Sequence, residues 1–207
     1  MADTGAESIA IRRIERALAA TGLVVAGVAE EQWVNPTPCA EWDVRVVLNH
    51  TVGGMRIFAA ELNGTDPGGE HESDWLGADP RGAYAEASET DRAAWNRPGA
   101  LDTTVHISLG ALPGPMAALI HFTEVCVHGV DLAVATGQQA VVDEELCGEL
   151  LAVMHGLGGF DAYRVPGVFG PEVQPAPGAA PHGQLLAYLG RTVADPPRPE
   201  GTVSEKA

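Results

Sequence analysis

Basic residues are scarce in this 207-residue chain: 12 Lys and Arg stand against 28 Asp and Glu, a formal net charge of −16. Such a surface repels phosphate backbones and anionic lipid headgroups, which argues against nucleic-acid and membrane-surface partners. It serves solubility without naming a partner. Aromatic residues are few, at 5%, so helices packed through Ala, Val and Leu are expected rather than a β-sandwich. The three cysteines, Cys39, Cys126 and Cys147, form no close pair and no Cys-x-x-Cys. That excludes a disulfide framework and a thiolate metal site. There is no unbroken run of 18 apolar residues, so no membrane-spanning helix is expected. Met1 to Ala10 carries acids and lacks the basic stretch of a secretory signal. A reducing, cytoplasmic setting is the expectation.

What is present suits one globular domain: 45% of residues are hydrophobic and 19% charged. Residues 6–30 read as a first helix, with Ile11, Ile14, Leu18 and Val28 at helical spacing. Prolines 36 and 38 stop it and make a loop. Asp43 is an N-cap candidate for a second helix over 43–64, closed by Gly64. A third, more polar helix is read over 80–96, and an extended segment over 101–109. Leu112 to Pro115 reads as a turn into a helix over 115–136. Another helix runs from about 143 to 155. A Gly/Pro-rich stretch, 156–182, reads as irregular, and a short helix is expected near 183–192. The predicted organisation is one helical bundle domain over 6–192 and a disordered tail over 193–207.

The fourth long helix carries the chemistry. Glu124 and His128 are four residues apart, hence on one face. His121 and Asp131 fall on the same stripe. A solvated stripe normally carries Lys or Arg, and this helix has neither between Pro115 and Gly137. On the second helix, His50 shares a face with Val46, Val47, Gly54 and Ile57 that should point inward. A lone histidine on an apolar face is more often a satisfied core residue than a ligand. A Glu-x-x-x-His stripe on another helix changes that balance. His50, Glu124 and His128 together make a His₂Glu set, a known zinc arrangement with an open fourth position. Helical bundles place metals between facing helices in this manner. Gly53 and Gly54 make room for a close approach to the backbone. His121 is an alternative ligand, and Asp131 is a candidate to hold a metal-bound histidine.

The segments Thr37-Pro-Cys-Ala-Glu-Trp-Asp-Val-Arg45 and Leu48-Asn-His-Thr-Val-Gly-Gly54 resemble the N-terminal domain of the mycothiol-dependent maleylpyruvate isomerases. So does Glu124-Val-Cys-Val-His-Gly-Val-Asp-Leu-Ala133 with Ala135-Thr-Gly137. Phe169-Gly-Pro171 and the terminal Leu185 to Leu189 look like the ending of smaller members of that wider, DinB-like group. The resemblance covers roughly residues 8–192. It implies an all-α, up-down-down-up four-helix bundle, with a divalent metal, zinc in the isomerases, on His50, Glu124 and His128. It also implies mycothiol as co-substrate. Two departures stand out. The C-terminal domain that contributes to the isomerase site is replaced by a Gly/Pro-rich segment and a short helix, and Val130 stands where relatives often show tryptophan.

The resulting expectation is a zinc-dependent, thiol-using enzyme, a thiol S-transferase or thiol-dependent isomerase acting on a small electrophilic metabolite. The alternative is a non-catalytic bundle that binds a small molecule or a partner chain, its metal structural or absent. Oligomeric state stays open, a homodimer through apolar helix faces being one option. Among other residues, Cys39 and Trp42 are read as packing the loop and the start of the second helix. Cys126 is read as core. Arg45 and Arg56 are read as surface ion pairs unless they meet a substrate carboxylate. His182 would reach the site only if the terminal segment folds over the bundle.

Overall fold

A computed structural model describes residues 4–157, 160–164 and 168–192. Among the described residues six α-helices and one hairpin follow in order: α1 (Thr4–Gly27), α2 (Val44–Asn63), α3 (Pro80–Trp95), β1 (Thr104–Ile107), β2 (Gly110–Pro113), α4 (Gly114–Ala135), α5 (Glu144–Gly156) and α6 (Pro181–Tyr188). The expected tail, 193–207, lies outside the described residues.

The capping residues act as their chemistry predicts. Asp43, Asp79 and Asp143 each accept a backbone N–H in the first turn of α2, α3 and α5. Gly64 ends α2 in the left-handed conformation at φ 65°. Three boundaries differ from expectation. The first helix stops at Gly27, and Glu30–Val34 forms a separate 3-10 turn that buries Trp33. Leu112 and Pro113 are not a turn: they complete β2, whose Leu112 pairs with Val105. The last helix begins at Pro181, whose fixed φ suits a first turn, and ends before Gly190 at φ 76°.

Side-chain bonds set the helix directions. Gln138 donates to the Val24 carbonyl, and Asn35 to that of Ala135, so the C-terminal ends of α1 and α4 meet and the two helices run parallel. Arg97 reaches the Leu62 carbonyl and Asn63, which brings together the ends of α3 and α2. The connector 64–79 must therefore travel back along α2, a helix of about 30 Å. It is pinned near the start of α2, where Asn49 donates to the Ser73 carbonyl and accepts from the Trp75 N–H. The result is the up-down-down-up bundle, with α1 against α4 and α2 against α3.

The core runs through all four helices, with Ile14, Leu48, Met55, Trp95, Phe122 and Leu132 almost fully buried. α5 and α6 form an extension. Arg13 and Arg16 on α1 bond Glu149 and Asp143, which tie α5 down, and Leu185, Leu186 and Leu189 are buried beneath α6. Among the described residues, α4 alone is long and apolar enough to cross a membrane, although His121, Glu124, His128 and Asp131 interrupt its apolar run. In this fold it is the central helix of the bundle, apolar because neighbours cover it on most sides. A cavity of about 20 Å³ beside it, lined by Ala17, Thr21, Cys126, Gly129, Val130 and Cys147, lies at the valine noted above.

Candidate metal centre

Each candidate side chain is placed by an element whose local sequence explains its position. His50 sits in the second turn of α2, behind the Asp43 cap. Glu124, at the middle of α4, and His128 lie one turn apart on that helix, which runs antiparallel to α2. The two helices bring the three residues together: His50 Nε2 stands 3.2 Å and His128 Nε2 3.4 Å from the same oxygen, Glu124 Oε2. One donor atom from each residue lies within 4.8 Å of the others. Donors about 2.0–2.2 Å from a tetrahedral ion stand about 3.3–3.6 Å apart; the 3.4 Å separation falls in that range and the 3.2 Å one just below it. The donor set, two imidazoles and one carboxylate, suits a borderline divalent cation.

The surroundings orient the candidate donor atoms. His128 Nδ1 lies 3.0 Å from Asp131 Oδ2, and Asp131 is completely buried. An N–H at Nδ1 given to that carboxylate leaves Nε2 to face Glu124. Among the described residues His50 Nδ1 is buried with no hydrogen-bond partner, so ring contacts join the Nε2 bond to Glu124 in holding that imidazole. Trp42 lies over it at 4.7 Å and His71 at 4.3 Å. Trp42 reaches this place because residues 35–44 fold into a tight turn. Thr37 Oγ1 donates to the Trp42 carbonyl, Val44 N–H donates to that of Asn35, and Glu41 takes φ 70°.

Electrostatics follow from this crowding. Burial opposes ionisation of Glu124, yet hydrogen bonds from His128 and His50 outweigh it and hold the carboxyl well below the usual range. Burial also opposes the charged form of His128, but Asp131 and Glu124 overcome that and raise it to about 9. Burial pushes the Cys39 thiol up and, together with the charge of His50, pushes His71 down.

The stripe on α4 points inward, as expected, but it divides among three partners. Glu124 and His128 meet His50. His121 instead bonds Asp91 on α3 at 2.7 Å, with both side chains buried and the ring set between Phe58 and Trp95. It joins no ligand cluster among the described residues. Asp131 holds His128 on one side and accepts from Arg191 Nε at 3.0 Å on the other. Val46, expected inward, is 42% exposed; α2 buries Val47, Leu48, Thr51 and Val52 instead. Cys126 is core. His182 bonds Glu144 at 2.5 Å. Arg45 pairs with Asp74, and Arg56 with Glu86.

Gly53 makes room for the protein's own connector. A Cβ there would stand 2.8 Å from the His71 carbonyl oxygen and 2.7 Å from Trp75 Nε1. The connector closes down at this point, His71 Nε2 donating to the His50 carbonyl at 3.2 Å. His71, Arg191 and the stacking role of Trp42 escaped the sequence reading. His71 sits in a Gly/acid loop without periodicity, and Arg191 is a single residue after a short helix, so neither gives a local signal.

Comparison with known proteins agrees with this architecture. The model of the mycothiol maleylpyruvate isomerase N-terminal domain matches residues 14–133. Two proteins of Mycobacterium tuberculosis, from strains CDC 1551 / Oshkosh and ATCC 25618 / H37Rv, are each 35% identical over 181 residues, which span 86% of this chain and 96% of theirs; both are named only as uncharacterized proteins. No solved structure matches. The matched region takes in α2, α3, the hairpin and nearly all of α4, and with it a cluster able to hold a metal ion; the chain belongs to the mycothiol maleylpyruvate isomerase N-terminal domain family.

Proposed function

We propose that this chain is a zinc-dependent, thiol-using enzyme of the cytoplasm, a thiol S-transferase or thiol-dependent isomerase acting on a small electrophilic metabolite, with mycothiol as the thiol. The observation that carries the reading is the convergence of His50, Glu124 and His128 from two helices, with one donor atom of each within 4.8 Å of the others. Family membership supports the thiol, since the matching domain is named for a mycothiol-using isomerase.

Two neutral imidazoles and one carboxylate would hold the cation and leave its fourth position for an incoming thiol. A divalent cation bound there lowers the pKa of a thiol it meets, so that the thiolate predominates near neutral pH. The chain's own groups do the rest. Asp131 keeps a proton on His128 Nδ1, so Nε2 can donate. Glu124 adds one negative charge, which leaves the site net positive and favourable to a thiolate. Trp42, His50 and His71 wall off one side from water. Attack of sulfur on an activated alkene forms a C–S bond and moves the π electrons onto the carbonyl of the electrophile. Rotation followed by loss of the thiolate gives the isomer, whereas proton capture gives the S-conjugate.

Metal analysis of protein purified without an affinity tag is the first test. Near-stoichiometric zinc that is lost in His50→Ala supports the reading. Absence of metal, with unchanged melting on chelation, removes it in favour of a non-catalytic bundle. Turnover of mycothiol with a model electrophile should then fall at least tenfold in Glu124→Gln. Equal turnover in both proteins would exclude a catalytic role for the metal.

A further inference from the structure

The family domain ends at residue 133, yet the His128 side of the cluster is completed by a residue almost sixty positions further on. Arg191 Nε lies 3.0 Å and 3.1 Å from the two carboxylate oxygens of Asp131, and the same carboxylate holds His128 Nδ1. The Arg191 side chain is 9% exposed and that of Asp131 is fully buried. A surface ion pair contributes little. A buried carboxylate that has lost water on all sides depends on the donors that replace it.

The segment is shaped to deliver this arginine. Gly190 takes φ 76° beyond α6, and its N–H and that of Arg191 close onto the carbonyls of Ala187 and Leu186. The turned chain lies against residues 170–173, whose Gly170 and Val173 N–H groups bond the Leu189 and Ala187 carbonyls. Contact there is so close that a Cβ on Gly190 would stand 2.6 Å from the Pro171 carbonyl oxygen. Arg164 bonds the Gly170 and Tyr188 carbonyls from outside, and Phe169 lies 5.9 Å from the Arg191 guanidinium. Cys39, His128 and Asp131 also form a group with metal-ligand spacing. There the guanidinium already supplies the positive charge, with Nη2 at 3.8 Å from Cys39 Sγ.

We propose that Arg191 is a positioning residue of the metal centre: it locks the Asp131 carboxylate, which in turn fixes the ring of His128 so that Nε2 faces Glu124. The terminal segment is thereby a working part of the site, on its His128 side. The effect on metal rests on the zinc reading above; the effect on the His128 ring stands apart from it.

The test compares wild type with Arg191→Met, which keeps the apolar stem and removes the donors. Cobalt(II) affinity and its visible absorption are measured by titration. In the metal-free protein, the downfield Nδ1–H resonance of His128 is followed by NMR. The expected result is a loss of about 10–100-fold in cobalt affinity, an altered cobalt spectrum, and an Nδ1–H resonance broadened by exchange with water. Retention of a sharp resonance in Arg191→Met, or of wild-type cobalt affinity, overturns the proposal. If wild type itself binds no cobalt, the zinc reading falls, and the resonance alone decides this one. Should Arg191→Met fail to fold, Arg191→Lys serves in its place: charge without the planar fork should give an intermediate loss, and wild-type values in both measurements overturn the proposal.

Discussion

At the scale of single residues, protons and cations compete for the same nitrogen. His128 is held charged up to about 9 in the metal-free protein, against about 6.5 for an ordinary imidazole. A raised value means that its contribution to stability is complete below about 6.5 and is lost as pH climbs through about 9. Metal-free protein should thus show a falling melting temperature across that window, and His128→Gln should flatten the slope. A cation must displace the Nε2 proton, so apparent zinc affinity should rise with pH and level off above about 9, as isothermal titration at several pH values would show. Glu41 is a different kind of residue. It is the sole non-glycine with positive φ among the described residues, a conformation that costs an L-residue about 1–2 kcal/mol. Glu41→Gly should raise stability by up to about 1 kcal/mol in urea denaturation, part of the gain being returned as glycine's extra chain entropy. Nothing in the sequence marks that strain, because positive φ is imposed by the turn that swings Trp42 over the two histidines. His50, Glu124 and His128 were legible because helical spacing is a local rule. Arg191 and His71 were not, because each reaches the cluster through a tertiary contact that no periodicity encodes.

At the scale of elements, the bundle depends on how near α1 comes to α4. Gly129 faces Thr21, whose hydroxyl donates to the Val125 carbonyl at 3.1 Å, and a Cβ at 129 would overlap that hydroxyl. Gly129→Ala should therefore destabilise by about 1–3 kcal/mol, despite alanine's better helix propensity. A stability gain in thermal melts would show that α1 can yield. α2, α3 and α5 were readable almost to the residue, since Asp43 and Gly64 mark the ends of α2 chemically, Pro80 suits the first turn of α3 and Asp143 stands at the start of α5. The hairpin was half readable. Val105 and Ile107 alternate in β1, but β2 has little apolar pattern of its own, and its Leu112-Pro-Gly-Pro run imitates a turn. It pairs because Gly110, at φ 105°, folds it back onto β1. The end of α1 was overread because Val28 continues its apolar spacing past Gly27, where the helix stops.

For the whole molecule, two long stretches without helical pattern decide what surrounds the cluster. The bundle supplies the donors, while the connector 64–79 and the terminal segment supply its walls. The net charge of −16 adds a far-field effect. It draws divalent cations and repels anionic reactants, so capture of a carboxylate-bearing electrophile should quicken as salt rises from about 20 to 200 mM and screening sets in. A neutral electrophile of similar size should show no such dependence in stopped-flow measurements. The absent side chain at position 53 has a geometric corollary. Because the main chain of His71 and the indole of Trp75 occupy the space where a methyl group would project, this one hydrogen atom sets how low the rim stands over the histidines. A bundle of the same design with alanine at that point would have to lift its rim, and its mouth would widen without any change in the three donor residues. Access to the histidines can in this way be adjusted independently of the three donors.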